Sequence, residues 1–154
     1  MIERVRDEGD GPGVAAQLLH DFNTEYGEPA PPPEQLARRL ADLVAHDQVV
    51  ALVAYDEARL PVGVAVLRLQ PSVWSTAAEA YLAELYVVPA RRGRGHGRAL
   101  LAEVVRIARA EGADYAFVVT SEDDRLAQRL YEAAGFRRTE GEGGPLMLAY
   151  ERDL

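Results

Sequence analysis

The sequence predicts an α/β protein of the α+β type, in which helices flank a mixed, mostly antiparallel central sheet. Three observations support this fold class. One strand-like segment is followed by two amphipathic helical segments, then come three consecutive strand-like runs, and the second half alternates helical and strand-like segments. The predicted order is β-α-α-β-β-β-α-β-α-β-β. With 154 residues, 48% of them hydrophobic, we expect a single domain over residues 1–154.

The first half of the chain supplies the opening strand, both N-terminal helices and three successive strands. Residues 2–6 alternate as a strand does, and a helical period follows through Val14, Leu18 and Phe22. The segment GEPAPPP at 27–33 is a turn-rich joint, after which the helical period returns over 34–46. Three strand candidates then follow with turns between them, at 48–56, 62–70 and 79–88.

The second half begins with a helix and ends with two short strands. Apolar residues recur at helical spacing from Gly97, and Gly112 ends that helix as a C-cap residue does. A strand is predicted over 114–120, and Asp123 or Asp124 can cap a helix that runs to Ala134. Two short strand candidates follow, at 136–140 and 145–151.

The composition excludes several classes of function. The chain has no cysteine and only three scattered histidines, so we expect no disulfide, no thiolate chemistry and no bound metal. A formal net charge of −8 argues against nucleic-acid partners, whose phosphates are held by positive faces. No apolar run approaches the roughly 18 residues of a membrane span, and the start MIERVRDEGD has no signal-peptide pattern. We therefore expect a cytoplasmic protein without a membrane partner.

One segment stands out against this acidic background, the stretch VVPARRGRGHGRALL at 87–101. A strand, a glycine-rich turn and a helix in succession direct free backbone N–H groups and the helix dipole at one anion. The glycines Gly93, Gly95 and Gly97 leave those amides accessible and permit positive φ values. Arg92, Arg94 and Arg98 add charge at the rim. A pyrophosphate, which can use several amides at once, is the natural occupant.

Other readings of this turn are weaker. The dinucleotide fingerprint G-x-G-x-x-G does not fit the spacing of these glycines, and the nucleotide P-loop string G-x-x-x-x-G-K-[ST] is absent. The remaining alternative is a solvated run of arginines with glycines that merely form a turn. The flanking strand and helix favour the anion site over that alternative.

At these residues the chain resembles the GCN5-related N-acetyltransferases, the GNAT family. Their acetyl-CoA motif Q/R-x-x-G-x-G/A is matched by RGRGHG, Arg92 to Gly97, between the strand ELYVVP and the helix GRALLAEVV. A second family motif, close to N-x-x-A-x-x-L-Y-E-x-x-G-F, is matched by DRLAQRLYEAAGF, Asp124 to Phe136. Asp124 replaces the usual Asn and still can cap a helix, whereas His96 replaces the usual aliphatic residue. The resemblance covers nearly the whole chain.

The resemblance implies acetyl transfer from acetyl-CoA to an amine by direct attack on the thioester. Such a reaction needs a base for the ammonium, a donor for the oxyanion and an acid for the departing thiolate. The resemblance assigns the base to Glu84, with Glu79 and Tyr81 as fallback candidates, and the acid to Tyr131. Glu84 is equally well read as a substrate-binding or solvent-facing carboxylate, and Tyr131 as an amphipathic core residue. The implied cofactor-binding residues are Leu85 for the oxyanion, Tyr86 and Val87 for the pantetheine arm, and Arg92, Gly93, Arg94, Gly95, His96, Gly97 and Arg98 for the pyrophosphate.

The acceptor is less well defined by the sequence. A small cationic amine is expected, and the first helix, Glu84 and EDDRLAQRLY look similar to the aminoglycoside 3-N-acetyltransferase branch. Asp21, Glu25 and Glu28 could line an acidic groove for such a sugar, or could form a solvated helix face. Trp74 and Tyr26 are read as core or rim packing. The alternatives are a protein or peptide N-acetyltransferase and, from another class, a CoA-binding regulatory module without turnover. Dimers are frequent among similar proteins, and the sequence does not decide between a monomer and a homodimer.

Overall fold

In the computed structural model, which describes all 154 residues, four α-helices flank one five-stranded sheet. The elements in chain order are β1 Ile2–Arg4, α1 Gly11–Glu25, α2 Pro33–Ala45, β2 Val50–Tyr55, β3 Pro61–Pro71, β4 Ala78–Val87, α3 His96–Ala110, β5 Ala113–Val118 and α4 Arg125–Ala133, with a short 3₁₀ turn at Pro89–Arg91 between β4 and α3. The predicted fold class and these nine elements are confirmed.

The sheet is mixed, as predicted. Its strands lie in the order β1-β2-β3-β4-β5. The pairs β1–β2, β2–β3 and β3–β4 are antiparallel, and β4–β5 is parallel. A parallel pair needs a crossover connection, and α3 supplies it. None of the helices combines the length and apolarity needed to cross a membrane.

Each face of the sheet carries its own helical layer. On one face, which we call the α3 face, α3 and α4 pack on residues such as Leu52, Leu67 and Leu82. On the other, the α1 face, α1 and α2 pack on residues such as Val53 and Val64. The side chains of α3 that are buried recur at helical spacing and are Leu100, Leu101, Val104, Ile107 and Ala108.

A β-bulge in β4 changes which side chains point to which face. Val66 of β3 pairs with Glu84, but the next residue, Leu67, pairs with Leu82, so Ala83 is an extra residue in β4. Side chains alternate between faces along a strand, and one extra residue reverses that alternation. Ala80 and Leu82 therefore belong to the α3 face, whereas Glu84 lies opposite Val66 on the α1 face.

The two C-terminal strands predicted at 136–140 and 145–151 do not form. Only one isolated bridge, Thr139 with Leu146, joins these segments. The turn between them is rich in glycine, and the apolar side chains beyond it are exposed, 70% for Leu148 and 90% for Tyr150. A two-stranded ribbon without a packed apolar face is marginal in water. The edge of β5 away from β4 consequently has no paired strand.

Candidate active site

The turn between β4 and α3 presents a row of free main-chain donors. None of the six consecutive N–H groups from Gly93 to Arg98 donates a hydrogen bond within the protein. Gly93 and Gly95 have φ values of 75° and 87°, a left-handed backbone that glycine adopts without the cost of a Cβ. Gly95 is the N-cap of α3 and offers no side-chain cap, so the positive end of the helix dipole also faces this turn. The turn has the geometry that the sequence predicts for an anion site.

The arginines of this turn do not all lie at its rim. Arg92 points inward: its Nε donates to the Val87 carbonyl at 2.9 Å, and its Nη2 lies 2.8 Å from Glu25 Oε2 at the end of α1. Arg94 and Arg98 are exposed and take part in none of the ion pairs of the chain. The free positive charge at the rim therefore comes from Arg94 and Arg98, whereas Arg92 fastens the turn to β4 and α1.

Gly97 lets three elements approach one another. A Cβ at this position would lie 3.4 Å from Leu130 Cδ2 of α4 and 3.7 Å from Val87 Cγ2 of β4. The first of these distances is at the tight limit for a side-chain contact, so a larger residue would push α3 away from its neighbours. His96, just before it, is partly buried. The first turn of α3 is thus held against both the end of β4 and the motif helix α4.

The strands β4 and β5 separate beside this turn. Their last paired residues are Leu82 and Val118, and β4 continues from Ala83 to Val87 without a partner on that side. The unpaired stretch begins at the bulge. A gap therefore opens between the end of β4 and the chain that leaves β5.

Backbone groups of β4 face this gap in alternation. The Val88 amide donates to the Val62 carbonyl of β3 at 3.0 Å. Because antiparallel pairs alternate between bonded and unbonded positions, the Tyr86 amide also faces β3, whereas the amides of Leu85 and Val87 face the gap. The amides of Leu85 and Val87 are thus accessible from the gap, whereas the Tyr86 amide is directed into the sheet.

Glu84 lies on the α1 face directly after the bulge and is partly buried. Burial raises the pKa of its carboxyl group, and the nearby charge of Arg68 offsets part of that increase. Desolvation disfavours the ionised form of a carboxyl group. A carboxylate with a raised pKa is a stronger base than one in water.

Tyr131 lies on α4 at the edge of the core, with 8% of its surface exposed. Burial, and secondarily the charge of Asp124, raise its pKa to about 12. The phenol oxygen of Tyr131 has no hydrogen-bond partner in the protein. Every fully buried side-chain oxygen or nitrogen atom has one, so this oxygen must be partly accessible to solvent. Tyr131 is therefore both part of the core, as one reading of the sequence has it, and the carrier of a free, protonated hydroxyl group.

Comparison with known proteins agrees with this geometry. The profile of the acetyltransferase (GNAT) family matches residues 15–136. The chain belongs to the GNAT family. It is accordingly an acyltransferase by family. No curated protein matches the sequence at a significant level.

Solved structures resemble this GNAT domain over its whole length. A protein of Arthrobacter sp. FB24 assigned as an acetyltransferase is 43% identical, with 100% of this chain and 96% of the other covered and a TM-score of 0.88. A second acetyltransferase structure is 25% identical, with 99% of each chain covered and a TM-score of 0.81. The aminoglycoside acetyltransferase meta-AAC0020, from an uncultured soil metagenomic sample and in complex with trehalose, is 19% identical, covers 100% and 95%, and has a TM-score of 0.80. At that identity the last likeness shows the fold alone.

A cluster behind the turn escapes sequence analysis. Tyr86 stacks on Phe22 of α1 with ring centroids 5.1 Å apart, and the Arg92 guanidinium lies 5.7 Å from the Tyr86 ring. Burial, followed by the Glu25 carboxylate, raises the pKa of Tyr86 to about 12. This cluster joins α1 to the GNAT motif turn. No sequence pattern marks it, because Glu25 and Arg92 are 67 positions apart.

One wide groove of the molecule lies away from the motif turn. It is a groove of about 850 Å³ between α3, α4, the free edge of β5 and the C-terminal segment, and Tyr131 is one of its lining residues. Its position follows from the missing C-terminal strands, which leave that edge of the sheet open. Its size alone does not make it the active site, because the free amides of the turn are not part of it.

The remaining sequence candidates are located on the surface. Glu79 accepts a hydrogen bond from Gln70 at 3.5 Å, and Asp21 accepts one from Gln17 at 2.8 Å. Trp74 is 91% exposed and Tyr26 56% exposed, so a core position is wrong for both. The acidic groove considered for a polycationic sugar is also reduced, since Glu25 pairs with Arg92.

Proposed function

We propose that this GNAT enzyme transfers the acetyl group of acetyl-CoA to a primary amine by direct attack. The observation that carries the proposal is the row of six free amides from Gly93 to Arg98, beside the gap at the end of β4. A diphosphate offers several oxygens to such a row, and the N-terminus of α3 adds favourable electrostatics. The pantetheine arm would then run along β4, where the amides of Leu85 and Val87 face outward.

The chemistry needs three groups, and the chain offers a candidate for each. Glu84 takes the first proton from the acceptor ammonium, directly or through a water molecule. The free amine attacks the thioester carbonyl, a C–N bond forms, and the Leu85 amide donates a hydrogen bond to the developing oxyanion. The C–S bond then breaks, the second amine proton leaves, and CoA departs as a thiol with N-acetyl amine as the other product.

The role of Tyr131 follows from its acidity. A phenol with a pKa of about 12 is a weaker acid than a thiol, whose pKa is about 8.5. Complete proton transfer to the thiolate is therefore unfavourable, and a charge-assisted hydrogen bond to the departing sulfur is the role we propose. The sulfur receives its proton from the amine or from solvent.

The test is release of CoA thiol from acetyl-CoA in the presence of primary amines, peptides and aminoglycosides. Acetylation of at least one small amine is expected, with kcat reduced in both Glu84→Gln and Tyr131→Phe. Tight CoA binding with no turnover on any acceptor would favour a non-catalytic CoA-binding module. Turnover on peptides alone would favour a protein or peptide N-acetyltransferase.

A further inference from the structure

Part of the α1 face is left uncovered by helices, next to Glu84. α1 crosses β2 and β3 and reaches β4 at Tyr86, where Phe22 stacks. Beyond that point the face carries aromatic side chains of β4 and β5. Tyr81 stacks on Phe117 with centroids 4.8 Å apart and planes 11° apart, and Tyr115 lies beside Phe117 at 6.0 Å. Tyr115 is 52% exposed, so this aromatic row is open to a ligand.

Arg68 continues the row on β3. Its guanidinium carbon lies 5.9 Å from the centroid of the Tyr81 ring. The side chain is exposed, and none of the eight ion pairs of the chain includes it. A guanidinium stacked on an aromatic ring keeps its N–H groups free for an anion.

Arg68 is also the diagonal neighbour of Glu84. Val66, two residues before Arg68, is the cross-strand partner of Glu84. Diagonal neighbours in an antiparallel pair are about 7–8 Å apart at the backbone and can be bridged by long side chains. An amine held at Glu84 therefore places its neighbouring substituents within reach of Arg68.

This face carries a free cation as well as carboxylates. The Glu25 carboxylate, on α1, is paired with Arg92 at 2.8 Å, and Glu79 is in contact with Gln70. Glu84 and Arg68 remain as a carboxyl group and a free guanidinium side by side, with aromatic rings beyond them. This pairing is complementary to an ammonium and a carboxylate on one small molecule.

We infer that the acceptor is an amine that also carries a carboxylate and a flat apolar group, as an aromatic amino acid does. This inference rests on the proposed acetyl transfer. The ammonium of the acceptor faces Glu84, its carboxylate binds Arg68, and its ring packs against the partly exposed rings of Tyr81 and Phe117, where edge-to-face contacts are favourable. Glu84 then removes the proton from the amine that Arg68 holds in position.

The test compares phenylalanine with phenethylamine, which has the same ring, chain and amine but no carboxylate. Wild-type kcat/KM should be about tenfold or more higher for phenylalanine, the scale of one charge-assisted hydrogen bond. In Arg68→Gln that preference should fall close to unity. The matched control is Arg109→Gln, an exposed arginine of α3 on the opposite face of the sheet, which should keep the preference.

The outcomes separate this inference from the proposed function. The inference would be overturned if acetylation favoured phenethylamine or an aminoglycoside, or if the preference for phenylalanine survived in Arg68→Gln. Either result would leave the proposed acetyltransferase activity standing. Binding of both compounds to the CoA-loaded enzyme, measured by saturation-transfer NMR, needs no turnover. Preferential binding of phenylalanine that depends on Arg68 would support the inference even if acetyl transfer failed, and equal binding would overturn it.

Discussion

The two ends of α3 provide a matched pair of glycines with which to test the anion site. Gly95 at the N-terminus and Gly112 after the C-terminus have φ values of 87° and 83°, and a Cβ at either would meet no atom within 4 Å. An L-residue in this conformation costs roughly 1–2 kcal/mol. Gly95→Ala and Gly112→Ala should therefore lower the free energy of unfolding by similar amounts, which corresponds to a decrease in Tm of about 2–8 °C.

The two substitutions should differ in CoA binding. In Gly95→Ala, relief of the strained φ rotates the amides of the turn away from their common focus. Loss of one charge-assisted hydrogen bond costs roughly 1.5–3 kcal/mol, so the Kd for CoA should rise by about tenfold or more. In Gly112→Ala the Kd should stay near that of the wild type, because this glycine lies at the far end of the helix.

Isothermal titration calorimetry with CoA measures this difference, and thermal unfolding followed by circular dichroism provides the stability comparison. Acetyl-pantetheine, which lacks the diphosphate, gives a further control, because its affinity should change little in either variant. An unchanged Kd for CoA in Gly95→Ala, or an equal loss in both variants, would refute the assignment of the diphosphate to this turn.

Three other predictions concern the chemistry and its supports. Tyr131→Phe should lower kcat by about 10- to 100-fold, the scale of a hydrogen bond to a thiolate. Tm should change little, because the hydroxyl group has no partner in the protein. The control Tyr150→Phe, at an exposed tyrosine, should leave kcat unchanged. Glu84→Gln should abolish the acidic limb of the kcat/KM profile, which in the wild type falls as the pH drops through the raised pKa of this base. The folded protein raises the pKa of Glu84, so stability is lost as the pH rises from the unfolded to the folded pKa of this group. Glu84→Gln should therefore also raise Tm at pH 7, where the wild-type carboxyl group is ionised, and not at pH 3. An unchanged or lower Tm at pH 7 would contradict the burial argument. Glu25→Gln should lower stability by about 1 kcal/mol or less, as for a partly exposed ion pair, and should weaken CoA binding modestly by releasing Arg92; calorimetry that detects no change in CoA affinity would limit Glu25 to a structural role.

The elements of this fold are readable from the sequence because their signals are local. The period of α3 and the glycines at its two ends specify the helix and its bounds within a few residues. The glycine-rich turn before α3 is likewise local, since Gly93, Gly95 and the first turn of α3 follow one another in the chain. A pattern of this kind needs no knowledge of distant contacts.

The features that sequence analysis missed depend on partners far away in the chain. The orientation of the Arg92 side chain is set by Glu25 and by the Val87 carbonyl. The sequence motif, which gives only the residue type, therefore could not predict that this side chain points inward. The strands predicted near the C-terminus have suitable residue types, but strand formation also requires pairing with the distant edge of β5, which the local pattern does not specify. Exposure of Trp74 follows from the shape of a loop and not from its composition.

The extra residue, Ala83, reverses the direction in which odd- and even-numbered side chains point in the rest of β4. Even-numbered positions before it point towards α3, and odd-numbered positions do so after it. If Ala83 were instead accommodated in regular alternation, without the bulge, the Glu84 side chain would point into the apolar layer beneath α3 and Leu85 would turn towards α1. The bulge, which adds no functional side chain of its own, thereby keeps the proposed base on the α1 face.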